Sequence, residues 1–269
     1  MVKKLFKHEI LAYLRVWLPT QAVLLGIALL GRVIQLFETD TTVYSIVSGS
    51  STITYSIAIV VSIGLTFIFG IVRFYKNLFT NEGYLSFTLP VTPSQHIIVK
   101  ALTALLFQVA TALIAILSLT IITAGEMLTE LTKAAVYLLN ILKQVVGNHL
   151  YLYLAEIIIA LNILVLTAFL FYYTCISIGQ LFKKNRVLAA VGVYFGFYLA
   201  EQIIGTIFII IITVFRDKLP IEQIMNAIEA HPRAAAHIII CGIMLIALIG
   251  AAIYFIVVKT IIKNRLNLE

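Results

Sequence analysis

Three ionisable residues, Arg32, Glu156 and Glu201, fall inside long apolar stretches of this sequence. A charge in hydrocarbon is costly, and it normally finds a counter-ion or a water-filled path. Counted along helices at about 1.5 Å per residue, the three reach a similar depth, which predicts an ion pair of Arg32 with Glu201 or with Glu156. The competing arrangement has Arg32 extended to the headgroups and Glu156 at the interface beside Tyr151 and Tyr153.

Covalent chemistry finds less to work with. The one nucleophile-and-base set is Ser51, next to Gly49, with His237, and Ser51 is expected in an outer loop. Cys175 and Cys241 both lie in apolar stretches without CxxC spacing, and the five histidines are scattered, so no disulfide framework, metal site or haem site is expected. The nearest match to a phosphate-binding loop, Gly26 to Gly31, is followed by Arg32 and Val33 where Lys and Ser/Thr are required. The chain is therefore read as having neither a catalytic site nor a cofactor of its own.

The elements that must position these residues are set by hydropathy. Apolar residues make up 62% of the chain and charged residues 12%, with a mean hydropathy of +1.07, a composition that leaves the range of water-soluble domains. A spanning helix needs about 20 mostly apolar residues, and six stretches qualify: residues 16–37, 53–72, 97–124, 150–182, 187–215 and 235–258. They lack the alternation of barrel strands, so the expected fold is an all-α polytopic membrane domain occupying residues 1–269.

Orientation follows from the basic residues of the short loops. With both termini in the cytosol, Lys3, Lys4, Lys7, Arg15, Arg73, Lys76, Lys100, Lys183, Lys184, Arg186, Lys259, Lys263 and Arg265 all face inward. The net charge of +7 then serves as a topological signal, and nucleic acid is not an expected partner.

Three pieces outside the spans are amphipathic. Residues 1–15 place Val2, Leu5, Phe6, Ile10 and Tyr13 opposite Lys3, Lys4 and Lys7, which predicts a separate interfacial helix on the inner leaflet. Residues 125–149 carry a second apolar stripe expected on the outer surface, and a shorter one, Ile221 to Ile228, follows Pro220. Residues 73–96 are too interrupted to span yet too apolar for an idle loop, with Gly83, Pro90 and Pro93 as helix stops and Ser94 as the expected cap of the next helix.

Within that segment, Glu82, Gly83, Tyr84 and Leu85, then Leu89, Pro90, Thr92, Ser94 and Lys100 form a pattern similar to the one that follows the second span in membrane subunits of ABC type-2 exporters. Tyr84 departs from it, since many members carry threonine there. The resemblance implies that residues 73–96 form a cytosolic coupling segment whose Leu78, Phe79, Glu82, Gly83, Tyr84 and Leu85 meet a separate ATPase subunit. It further implies two copies of the chain with two ATPase subunits, ATP and Mg bound only by the latter, in a bacterial cytoplasmic membrane. The cargo would be amphipathic or hydrophobic, a peptide such as a toxin or antimicrobial peptide foremost, as in exporters of the phenol-soluble modulin kind.

The fifth stretch adds Gly192, Gly196 and Ala200 at four-residue spacing, which permits close backbone approach either within the chain or to a second copy. Two other classes remain in view: an ion-coupled secondary transporter built on the buried acids, and a membrane anchor or sensor that recruits a soluble partner.

Overall fold

The computed structural model describes residues 2–37, 41–80, 83, 90–124, 126–215 and 220–264. Their regular structure is helical throughout. In chain order the helices are α1 (Val2–Leu36), α2 (Thr42–Phe79), α3 (Pro93–Ile122), α4 (Glu126–Val146), a 3-10 turn (Gly147–His149), α5 (Leu150–Gly179), α6 (Arg186–Val214), α7 (Ile221–Ala230) and α8 (Pro232–Asn264). Six of them, α1, α2, α3, α5, α6 and α8, are long and apolar enough to cross a membrane.

The element boundaries correct the sequence reading in three places. Residues 1–15 and 16–37 are not two helices: α1 runs unbroken from Val2 to Leu36 with Pro19 inside it. Proline removes a ladder hydrogen bond, but side chains on both sides of Pro19 are tied to α2 and α3, as described below. At 35 residues, α1 is about 52 Å long, well beyond the roughly 30 Å of hydrocarbon. The polar stretch before residue 53 is likewise helix, so Ser51 stands on α2 and not in a loop. Its hydroxyls satisfy themselves along the helix, with Ser50, Thr52, Thr54 and Ser56 each donating to the carbonyl four residues back at 2.8–3.0 Å, which makes a Ser/Thr-rich stretch compatible with a spanning helix.

The third correction is at the start of α3. Thr92, rather than Ser94, is the cap: its side chain accepts from the Gln95 amide, and the Gln95 side chain accepts from the Thr92 amide at 2.9 Å. This reciprocal pair satisfies two orphan donors, and Pro93 fits the first helical position, where its missing N–H costs nothing.

The chain divides into two compact units, Met1–Phe74 with Pro90–Gly147, and Tyr75–Leu89 with Asn148–Glu269. In the first, α1 lies closest to α3, around a core of Leu24, Ala28, Tyr55 and Ile122. Gly31 lets α1 approach closely there, since a Cβ would come within 2.8 Å of the Ile122 side chain and 3.0 Å of Ser51 Oγ, which would have to shift. In the second, α5 packs on α6 and α8, and α7 on α8. Thr167 and Thr174 of α5 donate to the carbonyls of Ala247 and Tyr254 on α8 at 3.2 and 3.3 Å. Phe171 gathers Tyr172, Tyr194, Phe197 and Tyr254 edge-on.

Candidate functional site

In the first unit, the three spans meet around a single carboxylate. Glu9 is on α1, one turn after Leu5 and one before Tyr13, on the apolar stripe rather than among the exposed Lys3, Lys4 and Lys7. Its Oε1 accepts from Arg73 Nε of α2 at 2.7 Å and from Lys100 Nζ of α3 at 2.9 Å, while Oε2 accepts from Arg73 Nη2 at 3.0 Å. Glu9 and Lys100 are each 6% exposed, and Arg73 keeps 20% of its side chain open. Two cations thus share the one carboxylate. The forked guanidinium pair is the geometry that makes such a bond directional.

Above this cluster a polar seam follows the same three helices. Tyr13 donates to the Thr66 carbonyl at 2.7 Å, and its ring stacks on Phe107 at 4.4 Å. One turn on, Trp17 Nε1 donates to Thr111 Oγ1 at 2.7 Å. Thr66 and Thr111 share a hydrogen bond of 3.0 Å, and Ser62 donates to Gln21 Oε1 at 3.1 Å. Gln21, Ser62, Thr66 and Thr111 are all buried. In hydrocarbon no water can replace these bonds, and each contributes about 0.6 kcal/mol on average between membrane helices. The seam fixes the register of α1 against α2 and α3 on both sides of Pro19, which is why the helix does not part there.

The second unit has its own polar centre where α5 and α8 begin. His237 Nδ1 lies 2.9 and 2.8 Å from the two oxygens of Glu156. Against an ionised carboxylate, which only accepts, Nδ1 is the donor. The imidazole is stacked flat on Tyr153 at 4.0 Å, with His149 tilted 5.6 Å away, and Tyr153 donates to the Arg233 carbonyl at 2.6 Å. Its Nε2 is buried without a hydrogen-bond partner among the described residues.

The candidates named from sequence are distributed as follows. Glu156 is paired with His237, a partner the depth argument did not name, while Arg32 reaches Gln35 Oε1 on its own helix at 3.5 Å. Glu201 is exposed on α6. Leu78 and Phe79 are turned inside, at 0% and 7% exposed, so they face the protein interior and not an open surface. Gly83 is also buried, and Glu82, Tyr84 and Leu85 lie outside the described residues. Gly192, Gly196 and Ala200 are exposed, with nothing within 4 Å of a Cβ placed on either glycine. The contact on α6 is made instead by Gly179 of α5, where a Cβ would meet the Ala190 backbone at 2.7–2.8 Å.

Sequence reasoning missed Glu9. The available signal was its position, a lone acid on the apolar face of a basic amphipathic helix, where a charge has to be paired to be tolerated. Compared with known proteins, the chain matches no family model, no curated protein and no solved structure.

Proposed function

We propose that the chain is the membrane-spanning subunit of an ATP-driven exporter, working as a homodimer with two separate ATPase subunits and passing an amphipathic or hydrophobic cargo, foremost a peptide. The observation that carries the subunit reading is α6, a 29-residue apolar helix in which no residue is buried. A spanning helix this open, with Gly192, Gly196 and Ala200 exposed, fits a face that a second copy covers, because small residues let membrane helices approach closely. The energy-coupling part of the reading rests on the Glu82-to-Lys100 pattern between the second and third apolar helices. Lys100 of that pattern is held by Glu9, so the end of the pattern that lies on α3 is tied to α1.

Copurification with an ABC ATPase subunit from the host cells, followed by peptide-stimulated ATP hydrolysis in proteoliposomes, tests the reading. Recovery of a stable complex whose ATP turnover rises with an amphipathic peptide is the expected result. A chain that brings down no ATPase, or that moves cargo on an ion gradient without ATP, would sink it. The Glu156–His237 pair is what would favour an ion-coupled transporter instead, since carboxylate and imidazole groups form the proton relays of such proteins.

A further inference from the structure

Between α1 and α2 the first unit carries an apolar groove that its own helices leave unfilled. The polar seam ties the two helices at Tyr13–Thr66 and Gln21–Ser62, and apolar side chains line the open space beside it. One stretch of the groove, about 170 Å³, is bounded by Tyr13, Trp17, Thr20, Leu65, Phe69 and Val72. The next, about 420 Å³, shares Thr20 and Leu65 with the first and continues past Leu24, Ile27, Ile57 and Val61. From Tyr13 to Ile27 the groove follows about 21 Å of helix, more than the roughly 15 Å of hydrocarbon in one leaflet. Val61 and Leu65 are 48% and 46% exposed along it.

The charged cluster adjoins one end of this groove. Tyr13 is one turn from Glu9, and Val72 directly precedes Arg73, whose side chain remains partly open. Lys3, Lys4 and Lys7 add positive charge at the same end of α1, where with Phe6, Ile10 and Leu11 they line a further hollow. An apolar slot one leaflet deep, with the partly open Arg73 and three exposed lysines at its headgroup end, is complementary to one class of molecule present around every such protein. We infer that the groove between α1 and α2 is a binding site for an anionic phospholipid, its acyl chain lying along Trp17, Leu65 and Phe69 and its phosphate facing the Arg73 end. The seam hydroxyls behind the groove are already paired with one another, so the wall offered to the chain is dry. The site is independent of the exporter reading.

Trp17 lines the groove and is the single tryptophan of the chain, so it reports occupancy directly. The protein is reconstituted in phosphatidylcholine vesicles, and its fluorescence is titrated with brominated phosphatidylglycerol or with brominated phosphatidylcholine at equal mole fraction. Near-surface cations each favour an anionic lipid by a factor of about five, so the brominated anionic lipid should quench Trp17 at about one-fifth the mole fraction. High salt should erode that preference. Arg73→Gln should bring the two curves together, and Leu65→Phe, which fills the groove away from the cluster, should weaken quenching by both lipids. Equal quenching of the unaltered protein by the two lipids would reduce the groove to ordinary lipid contact and overturn the inference. Absence of quenching by either would show that a peptide or a second copy covers it, and would overturn it equally.

Discussion

Arg73, at the end of α2 farthest from Thr42, grips Glu9 near the start of α1 through two parallel hydrogen bonds of 2.7 and 3.0 Å across 64 residues of sequence. Lys100, at the start of α3, completes the junction. One carboxylate thus joins three spans at the point where the chain leaves α2 and re-enters at α3.

The first expected outcome concerns that junction. Glu9→Gln removes the carboxylate that Arg73 and Lys100 share, and truncating one partner of a buried pair costs about 3–5 kcal/mol. Thermal unfolding in detergent should show the loss, and Glu9→Gln combined with Lys100→Met should recover part of it, since only the partly open Arg73 then remains charged. A Glu9→Gln protein that unfolds with the native one would mean that solvent screens the cluster.

The Glu156–His237 pair predicts coupling of a different pattern. A double-mutant cycle of Glu156→Ala and His237→Ala should give an interaction of about 1 kcal/mol or more, as for residues in direct contact. The same cycle with Arg32→Gln should be additive within about 0.5 kcal/mol, because Arg32 is engaged by Gln35. Strong coupling of Arg32 to Glu156 or Glu201 would reinstate the ion pair expected from depth.

Two glycines should respond in opposite ways. At Gly179, even Ala would place a Cβ within 2.8 Å of the Ala190 backbone, so α6 must move, and overpacking of this kind costs about 1–3 kcal/mol. Gly192→Ala meets nothing within the chain and should leave monomer unfolding unchanged. Bulkier Gly192→Leu should lower cross-linking between copies in membranes while the monomer stays folded. Unchanged cross-linking would remove the second copy from this face.

Topology can be read by cysteine labelling in intact cells, after Cys175 and Cys241 are changed to serine. Cysteines placed at Lys3 and Asn81 should be shielded from an impermeant reagent, and those at Asn140 and Asn226 should react. Labelling at Asn81 from outside would place the coupling segment on the wrong side for an ATPase.

Phe79 now carries an expectation about stability. It is buried within the chain, so Phe79→Ala should cost about 3 kcal/mol or more through the cavity it leaves, seen as a lowered unfolding temperature. A charge reversal at Glu82 should instead spare unfolding and weaken ATPase recovery.

Hydropathy made the six spans legible, to within a few residues for α3, α5 and α6, because apolar length is the dominant signal a bilayer demands. It failed where polarity is neutralised locally. Ser50 and Thr52 looked like loop residues because their bonds to the preceding turn do not appear in a composition. The same holds for Thr92, whose capping bond depends on Gln95 three residues later. Charge partners were harder still. Depth along a helix placed Glu156 correctly near one end of its span, but its partner was decided by which face of α8 turns toward α5, and that put His237 there. Glu9 was overlooked because the faces of residues 1–15 were drawn from their apolar and basic residues alone, leaving aside the acid that interrupts the stripe.

Most of the circumference of α6 is left to whatever adjoins it. In hydrocarbon an apolar surface carries no penalty for exposure, so lipids and a protein neighbour compete for it on packing alone. Such a contact obeys mass action in two dimensions, governed by copies per area of bilayer rather than by molarity. Diluting the protein with lipid therefore empties this face and crowding fills it, which makes the assembly of α6 a measure of how densely the membrane is populated with the chain.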